Sequence, residues 1–589
     1  MSCLFRSCST ALHWGRALQL RGALPLRGAL PLRGALRFGA VLLLASCVTP
    51  MVPDLAATAP VLENFGNIVQ PITTSKPDAQ RLFNQGVTQA YAFNEQEAVR
   101  AFKAALAADP ACAMCAWGVA WQLGPNINAP ERGDQSEMRR YAALAREHMA
   151  RGTPRERGLI EAMTARYAGL GVPVRAVPTI PADICGVVST KEPDPLDLAY
   201  LAHMRELAGA YPDDADIASL YAEAVMIATQ GDWWDRKTGA PAGQIAAVTS
   251  QLERLLKVAP NHTGLNHYLI HAVDASPQPQ RAEAAADRLG VLAPQSPHLR
   301  HMPAHIYARI ARFGDAVRVN QNALASEQSL AEQLKGQQFK VVKNWDRHNK
   351  HFLWFAALMD GRADLALETA RQAAKLSANG KIAYSEYRRS LPLLTLLRLQ
   401  RWPEVLAEPA PVPGGALERA IYAHARAVAL AHTGKLAQAR EAGVAVEAAV
   451  AALQGVRQPS EADKFSLGLL EVLLAQQQAE LALAAGDIDA ALTAAQRGVA
   501  HEDTLEGREP PVLAAGSRNL LGQVMLEAKR WSAAEQAFRN DLADQPGSGW
   551  ALRGLTQSLT RQGKSAEAAA AKAQWEKAWA NADAGLRKL

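Results

Sequence analysis

The residues in this chain best suited to chemistry are histidines, and their spacing is regular. His267 and His271 stand four apart, and His301 and His305 repeat that pair 34 residues later. His298 precedes the second pair by three, His348 and His351 form a further pair three apart, and Asp274 follows His271 by three. On a helix, steps of three and four return to the same face. Seven histidines and one aspartate therefore converge if these segments are neighbouring helices packed about 8–10 Å apart. Neutral imidazole suits zinc, copper, iron or nickel, whereas calcium and magnesium want more carboxylates than this set contains. The pattern predicts a metal site drawn from His267, His271, Asp274, His298, His301, His305, His348 and His351, with zinc or copper as its ion. A histidine-lined pocket for an acidic or aromatic ligand, and plain packing, are competing uses of the same residues. Pro303, inside HLRHMPAHIY, has no amide hydrogen, so the helix there kinks or starts late and His298 and His301 can sit on a turn.

A second constellation is DPACAMC, in which Cys112 and Cys115 lie three residues apart at a helix start. Helix N-termini lower thiol pKa values, and this is the spacing of redox motifs. Residue 116 is alanine, which disfavours covalent haem attachment, and the preceding sequence reads as helix where a thioredoxin-like unit would place a strand. A structural disulfide or buried thiols, a metal role and redox catalysis are the readings left open. Tyr91, Trp117, Trp121, Trp233 and Trp234 are expected in the core or on the wall of a groove.

The elements that must hold these residues emerge from an internal period of 34. Leu82, Gly86, Ala98, Phe102, Ala105 and Pro110 have counterparts in Gly522, Ala534, Phe538 and Pro546, Ala568 follows Ala534 by 34, and Pro260 and Pro294 are 34 apart. Weaker copies lie around AHIYARIARFGDAV, MDGRADLALETA, HTGKLAQAREA and AAGDIDAALTAA. With small residues where two helices must approach closely, the chain resembles tetratricopeptide repeat proteins over most of its length. That resemblance implies an all-α superhelix of stacked helix pairs with a concave inner face, and the histidines are expected to line that face. Loops are expected at the proline-rich stretch 171–195, at GDWWDRKTGAP and at AEPAPVPGGA. They divide the chain into an irregular repeat array at 75–400, which carries the histidines, and a regular array at 417–589.

Residues 1–46 hold six arginines and no acidic residue, and the apolar run AVLLLA leads into Ser46 and Cys47. This reads as a leader peptide, followed by a linker at 47–74. LASC resembles the lipobox of bacterial lipoproteins, which implies lipidation at Cys47, and Val48 lacks the aspartate that often marks inner-membrane retention. Removing the leader takes six from the 63 basic residues and leaves 57 against 57 acidic ones. A balanced chain without basic runs offers no footprint for nucleic acid.

CAMCAWG, NHYLIHAVDASP, HLRHMPAHIYARIARFGDA and HNKHFLWFAALMDGR together resemble a group of exported bacterial tetratricopeptide repeat lipoproteins, over roughly 75–375. The resemblance implies a periplasmic location, at the outer membrane by lipid anchor, and brings no reaction with it. The expected function is an envelope-tethered scaffold whose histidine-rich surface binds a transition metal or a metal-bearing partner, with a protein or peptide in the groove. Two other classes compete. One is a metal-dependent enzyme with Asp274 as base or as support behind a ligand, although no GxSxG, HExxH or phosphate-cradling loop supplies a recognised nucleophile or base. The other is a pure peptide-interaction module.

Overall fold

The computed structural model describes residues 58–128, 135–168 and 194–588, apart from positions 230, 232, 236–237, 342–344, 506–508 and 514–515. The leader, Cys47, Cys185 and most of the proline-rich stretch lie outside the described residues. The described chain is an all-α helical-repeat solenoid of the tetratricopeptide type. An isolated bridge of strand type joins Trp234 to Pro241, inside the tryptophan-containing turn. No helix of the described residues is long and apolar enough to cross a membrane.

Close packing at small residues builds the repeats. The Phe102 ring, on the helix Glu95–Ala108, sits between Gly86 on Pro77–Tyr91 and Gly118 on Ala113–Leu123. A methyl group at either glycine would come within 2.5–2.6 Å of that ring, so alanine there would push the helices apart. Gly522, Phe538 and Gly554 repeat the device near the other end of the chain. The sequence separation is 16 at each step in both places.

One turn closes most of the helix pairs. After Tyr91 the backbone passes through a left-handed residue, Phe93, and the amide of Asn94 donates back to the carbonyl of Gln89. Ala311, Gly361, Gln400, Gly434, Gly486, Lys529 and Gly563 occupy the same left-handed position in other pairs, each followed by the same six-residue bond. This is the Schellman termination, which favours glycine because a Cβ is crowded there.

The array does not run open to its end. Trp579 Nε1 donates to the carbonyl of Met359, the amide of Asp583 donates to the carbonyl of Gly361, and the amide of Asp364 donates to the Asp583 carboxylate. The last repeat therefore docks on the middle of the chain, and Trp550 and Trp579 join the same core as Phe102 and Trp354. The helices on either side of the expected boundary at 400–417 pack together, Leu391–Arg398 against Ala416–His432.

Candidate metal centre

The chain breaks where Pro303 requires it. Pro297–His301 and Pro303–Arg309 are separate short helices joined at Met302, with Ser296 capping the first. His298 and His301 both lie on the first of these helices, three residues apart, yet they enter different groups. His298 joins His267 and His271, which stand one turn apart on Thr263–Asp274. His301 joins His305 from the next short helix and His348 from Asp346–Met359. Within each triad the three ligand atoms lie within 4.8 Å of one another.

The first triad is centred on His267. Its Nε2 is 3.1 Å from Nε2 of His298 and 3.1 Å from Nε2 of His271, while Nδ1–H donates to the carbonyl of Tyr91 at 2.7 Å. Because a carbonyl only accepts, the His267 proton is fixed on Nδ1 and Nε2 presents a lone pair. The Phe93 ring covers all three imidazoles at 4.5–5.7 Å, and Trp345 stacks on His298 at 4.2 Å. Phe93 reaches this position because it fills the left-handed turn that glycine fills elsewhere.

The second triad is more tightly constrained. His301 Nδ1–H donates to Asn320 Oδ1 at 2.7 Å, and the amide of Asn320 is oriented by its own donation to the carbonyl of Ala316. His305 Nδ1–H faces Asp274 Oδ2 at 3.0 Å and Glu509 Oε2 at 2.7 Å. Both rings thus carry their proton on Nδ1, yet their Nε2 atoms are 2.9 Å apart, and Nε2 of His348 lies 2.8 Å from that of His301. Two lone pairs at that distance repel unless a proton or a metal ion stands between them. Tetrahedral zinc with nitrogen ligands at about 2.0–2.1 Å brings those nitrogens to about 3.3 Å of one another, close to the separations found. Phe352 packs on the three rings at 4.7–6.0 Å.

Burial favours the neutral, ligating form of four of these imidazoles. Burial lowers the pKa of His267 to about 3 and holds His271, His301 and His348 well below the usual imidazole value. Burial also opposes the Asp274 charge, but the adjoining His305 outweighs it and holds that carboxyl below the ordinary range. Its neighbour Glu509 goes the other way: burial and the Asp274 charge push it up to about 7. A carboxylate behind a ligating imidazole fixes its tautomer and raises its basicity, as in many zinc sites. Asp274 thus stands behind His305. Asp274, His305 and Glu509 also form a third group whose atoms could hold an ion, but only through the His305 nitrogen opposite the one used by the triad.

Two expectations need revision. The histidines do not line an open concave face, for His267, His298, His301, His305, His348 and His351 are each 2% exposed or less. Nor do they meet at one point. His351 is engaged elsewhere: its Nε2–H donates to the Tyr387 hydroxyl at 3.0 Å, which donates in turn to the carbonyl of Val512. Its Nδ1 takes the Tyr384 hydroxyl at 3.3 Å, and its ring stacks on Trp354. Cys112 and Cys115 are joined as a disulfide at the start of Ala113–Leu123, both fully buried and apart from the histidine groups. Trp117 and Trp121 pack in the core beside them, Trp121 donating to Glu223 at 2.9 Å. Sequence reasoning missed Asn320, Phe93, Phe352 and Glu509. Phe93 alone carried a signal, as a bulky residue at a repeat position where glycine recurs.

No family model matches the sequence, and none of the curated proteins compared with it does. Among solved structures, the chain is similar to the crystal structure of yeast Tom70, at 11% identity over 85% of this chain and 91% of that one, with a TM-score of 0.27. It is also similar to the human IFIT1 dimer with m7Gppp-AAAA, at 11% identity over 86% and 91%, with a TM-score of 0.30. A third is the P58(IPK) TPR domain, at 10% identity over 83% and 99%, with a TM-score of 0.21.

Proposed function

We propose that this protein is a tetratricopeptide-type scaffold that holds a transition-metal ion, zinc or copper(II), between His301, His305 and His348. The observation that carries the reading is the 2.9 Å approach of two Nε2 atoms whose rings are both committed, through Asn320 and Asp274, to a proton on the opposite nitrogen. The competing occupant of that gap is a second proton on His305, whose ring faces Asp274 and Glu509, and metal titration separates the two. The first triad, with only the His267 tautomer fixed, can place a proton between His267 and a neighbour and has less need of an ion.

The compartment proposed is the cell envelope, reached by lipidation at Cys47, with a protein or peptide as the scaffold's partner. Its support is the LASC stretch and the Cys112–Cys115 disulfide, which suits an oxidising compartment. The metal reading is tested by elemental analysis of the purified protein, followed by stripping and titration with zinc and copper(II). His305→Ala and His348→Ala are expected to abolish tight binding, and His351→Phe to retain it, because His351 is spent on two tyrosines. Equal binding by His305→Ala and the parent protein would overturn the proposal.

A further inference from the structure

Apart from the histidine centre, a half-open cavity of about 360 Å³ lies between helices of both arrays, within the size range of small-molecule sites. The helices Asp346–Met359, Leu391–Arg398, Ala416–His432, Glu461–Ala484 and Ser517–Glu527 supply its walls. Most of the lining is apolar, with Trp354, Leu397, Leu473 and Leu520 among the wall residues. Such a space inside an alanine-rich helical array is not a packing necessity, since larger side chains at the same positions would fill it.

Two polar groups in the wall have unmet bonding capacity. Arg398 is held over the Trp550 ring at 4.0 Å, and one of its terminal nitrogens donates to Asn519 Oδ1 at 3.3 Å. Its Nε–H is buried without a partner. Among the described residues no carboxylate is close enough to pair with it, and Asp541 is reached only through the amide of Asn519. His424, 3% exposed, hydrogen-bonds to the backbone of Leu473 and leaves Nδ1 without a partner. The Arg398 guanidinium thus lines the cavity with its charge unpaired among the described residues, and an anion bound there would supply the missing partner.

We infer that this cavity binds a small organic acid, whose apolar body packs on Trp354 and the surrounding leucines and whose anionic group meets Arg398. Guanidinium recognises carboxylate and sulfonate oxygens with paired donors, and the apolar part of the wall packs the rest of the ligand. No metal is involved, so the inference stands or falls apart from the proposal above.

The test uses two fluorescent probes with the same rings and the same N–H. One is 8-anilinonaphthalene-1-sulfonate and the other is N-phenyl-1-naphthylamine, which lacks the sulfonate. Titrations of the full chain, with and without chelator, are expected to show one saturable site that prefers the sulfonate by tenfold or more. Arg398→Gln should lower sulfonate affinity about tenfold or more and leave the neutral probe unchanged, whereas Leu397→Trp, which fills the cavity, should weaken both. If circular dichroism shows Arg398→Gln unfolded, Asn519→Asp places a carboxylate against the guanidinium and should produce the same selective loss. Equal affinities for the two probes in the parent protein, or sulfonate binding indifferent to Arg398→Gln or to Leu397→Trp, would overturn the inference.

Discussion

Replacing Asn320 by alanine tests the tautomer argument at its hinge. The residue is fully buried, and its carbonyl oxygen keeps the His301 proton on Nδ1. In the alanine variant that N–H loses its acceptor, which costs about 1–3 kcal/mol if the ring stays as it is. The metal-free protein has an escape. His301 can move its proton to Nε2 and donate it to His305 across the 2.9 Å gap, relieving the repulsion there, so its stability loss should stay near the lower end, at about 1 kcal/mol. The metal-bound protein has no such escape, because a proton on Nε2 displaces the ligand. Its affinity should fall about ten- to hundredfold, the usual effect of losing a partner behind a ligating histidine, or about 1.4–2.7 kcal/mol. Asn320→Asp keeps an acceptor and should bind metal at least as well as the parent. Chelator competition with zinc at pH 7.5, and urea unfolding with and without zinc, give both quantities. An alanine variant that loses stability equally in both states, with unaltered zinc affinity, would refute the assignment of His301 Nε2 as a ligand.

Phe93→Gly relieves a strained left-handed residue but removes a ring buried against three imidazoles, so a net destabilisation of about 2–3 kcal/mol is expected by urea unfolding. Lys529→Gly, at the same turn position but exposed, should stabilise by up to about 1 kcal/mol. Acid should weaken the metal-free fold. His267 and His424, lowered by burial to about 3 and about 4, contribute fully above about pH 6.5, the unfolded value, and lose about 1.4 kcal/mol each per pH unit below it. At pH 5 each then costs about 2 kcal/mol, and His424→Gln should remove its own share of the acid sensitivity; a flat stability profile between pH 7.5 and 5 would count against both assignments. Cys47→Ser should shift the protein from the membrane to the soluble fraction on cell fractionation, with its helical circular dichroism unchanged.

Much of the fold could be read in advance because its determinants are local and periodic. Gly86 and Phe102, and again Gly522 and Phe538, are 16 apart because a ring from one helix must sit on the bare backbone of its neighbour. The histidines shared that periodicity, and Pro303 announced the break at Met302. Spacing, however, fixes where a side chain lies around a helix and says little about what covers it. The separation into two triads depends on which neighbours His298 and His301, three apart on one short helix, each meet, and spacing along the chain does not specify that. The closing of the face depends on residues far along the chain. Glu509 reaches His305 across 204 positions, and Val512 accepts from Tyr387 across 125. Neither belongs to a repeat helix, so no periodicity could point to them.

Burying six imidazoles takes polar groups out of water with no gain that leucine or phenylalanine would not exceed, and Phe93 and Phe352 show that large apolar rings fit the same space. The arrangement makes physical sense if the buried lone pairs are used. His301, His305 and His348 come from three separate helices, so an ion between them crosslinks elements that otherwise meet only by packing. Its binding energy then adds to the stability of the fold, about 2.7 kcal/mol when free metal is a hundred times the dissociation constant. Because Asp274 and Glu509 stand behind His305, that stabilisation reaches the segment joining Ile488–Glu502 to Ser517–Glu527. The metal would therefore tighten the junction between the two halves of the array, and a scaffold that presents one surface to a partner depends on that junction being rigid.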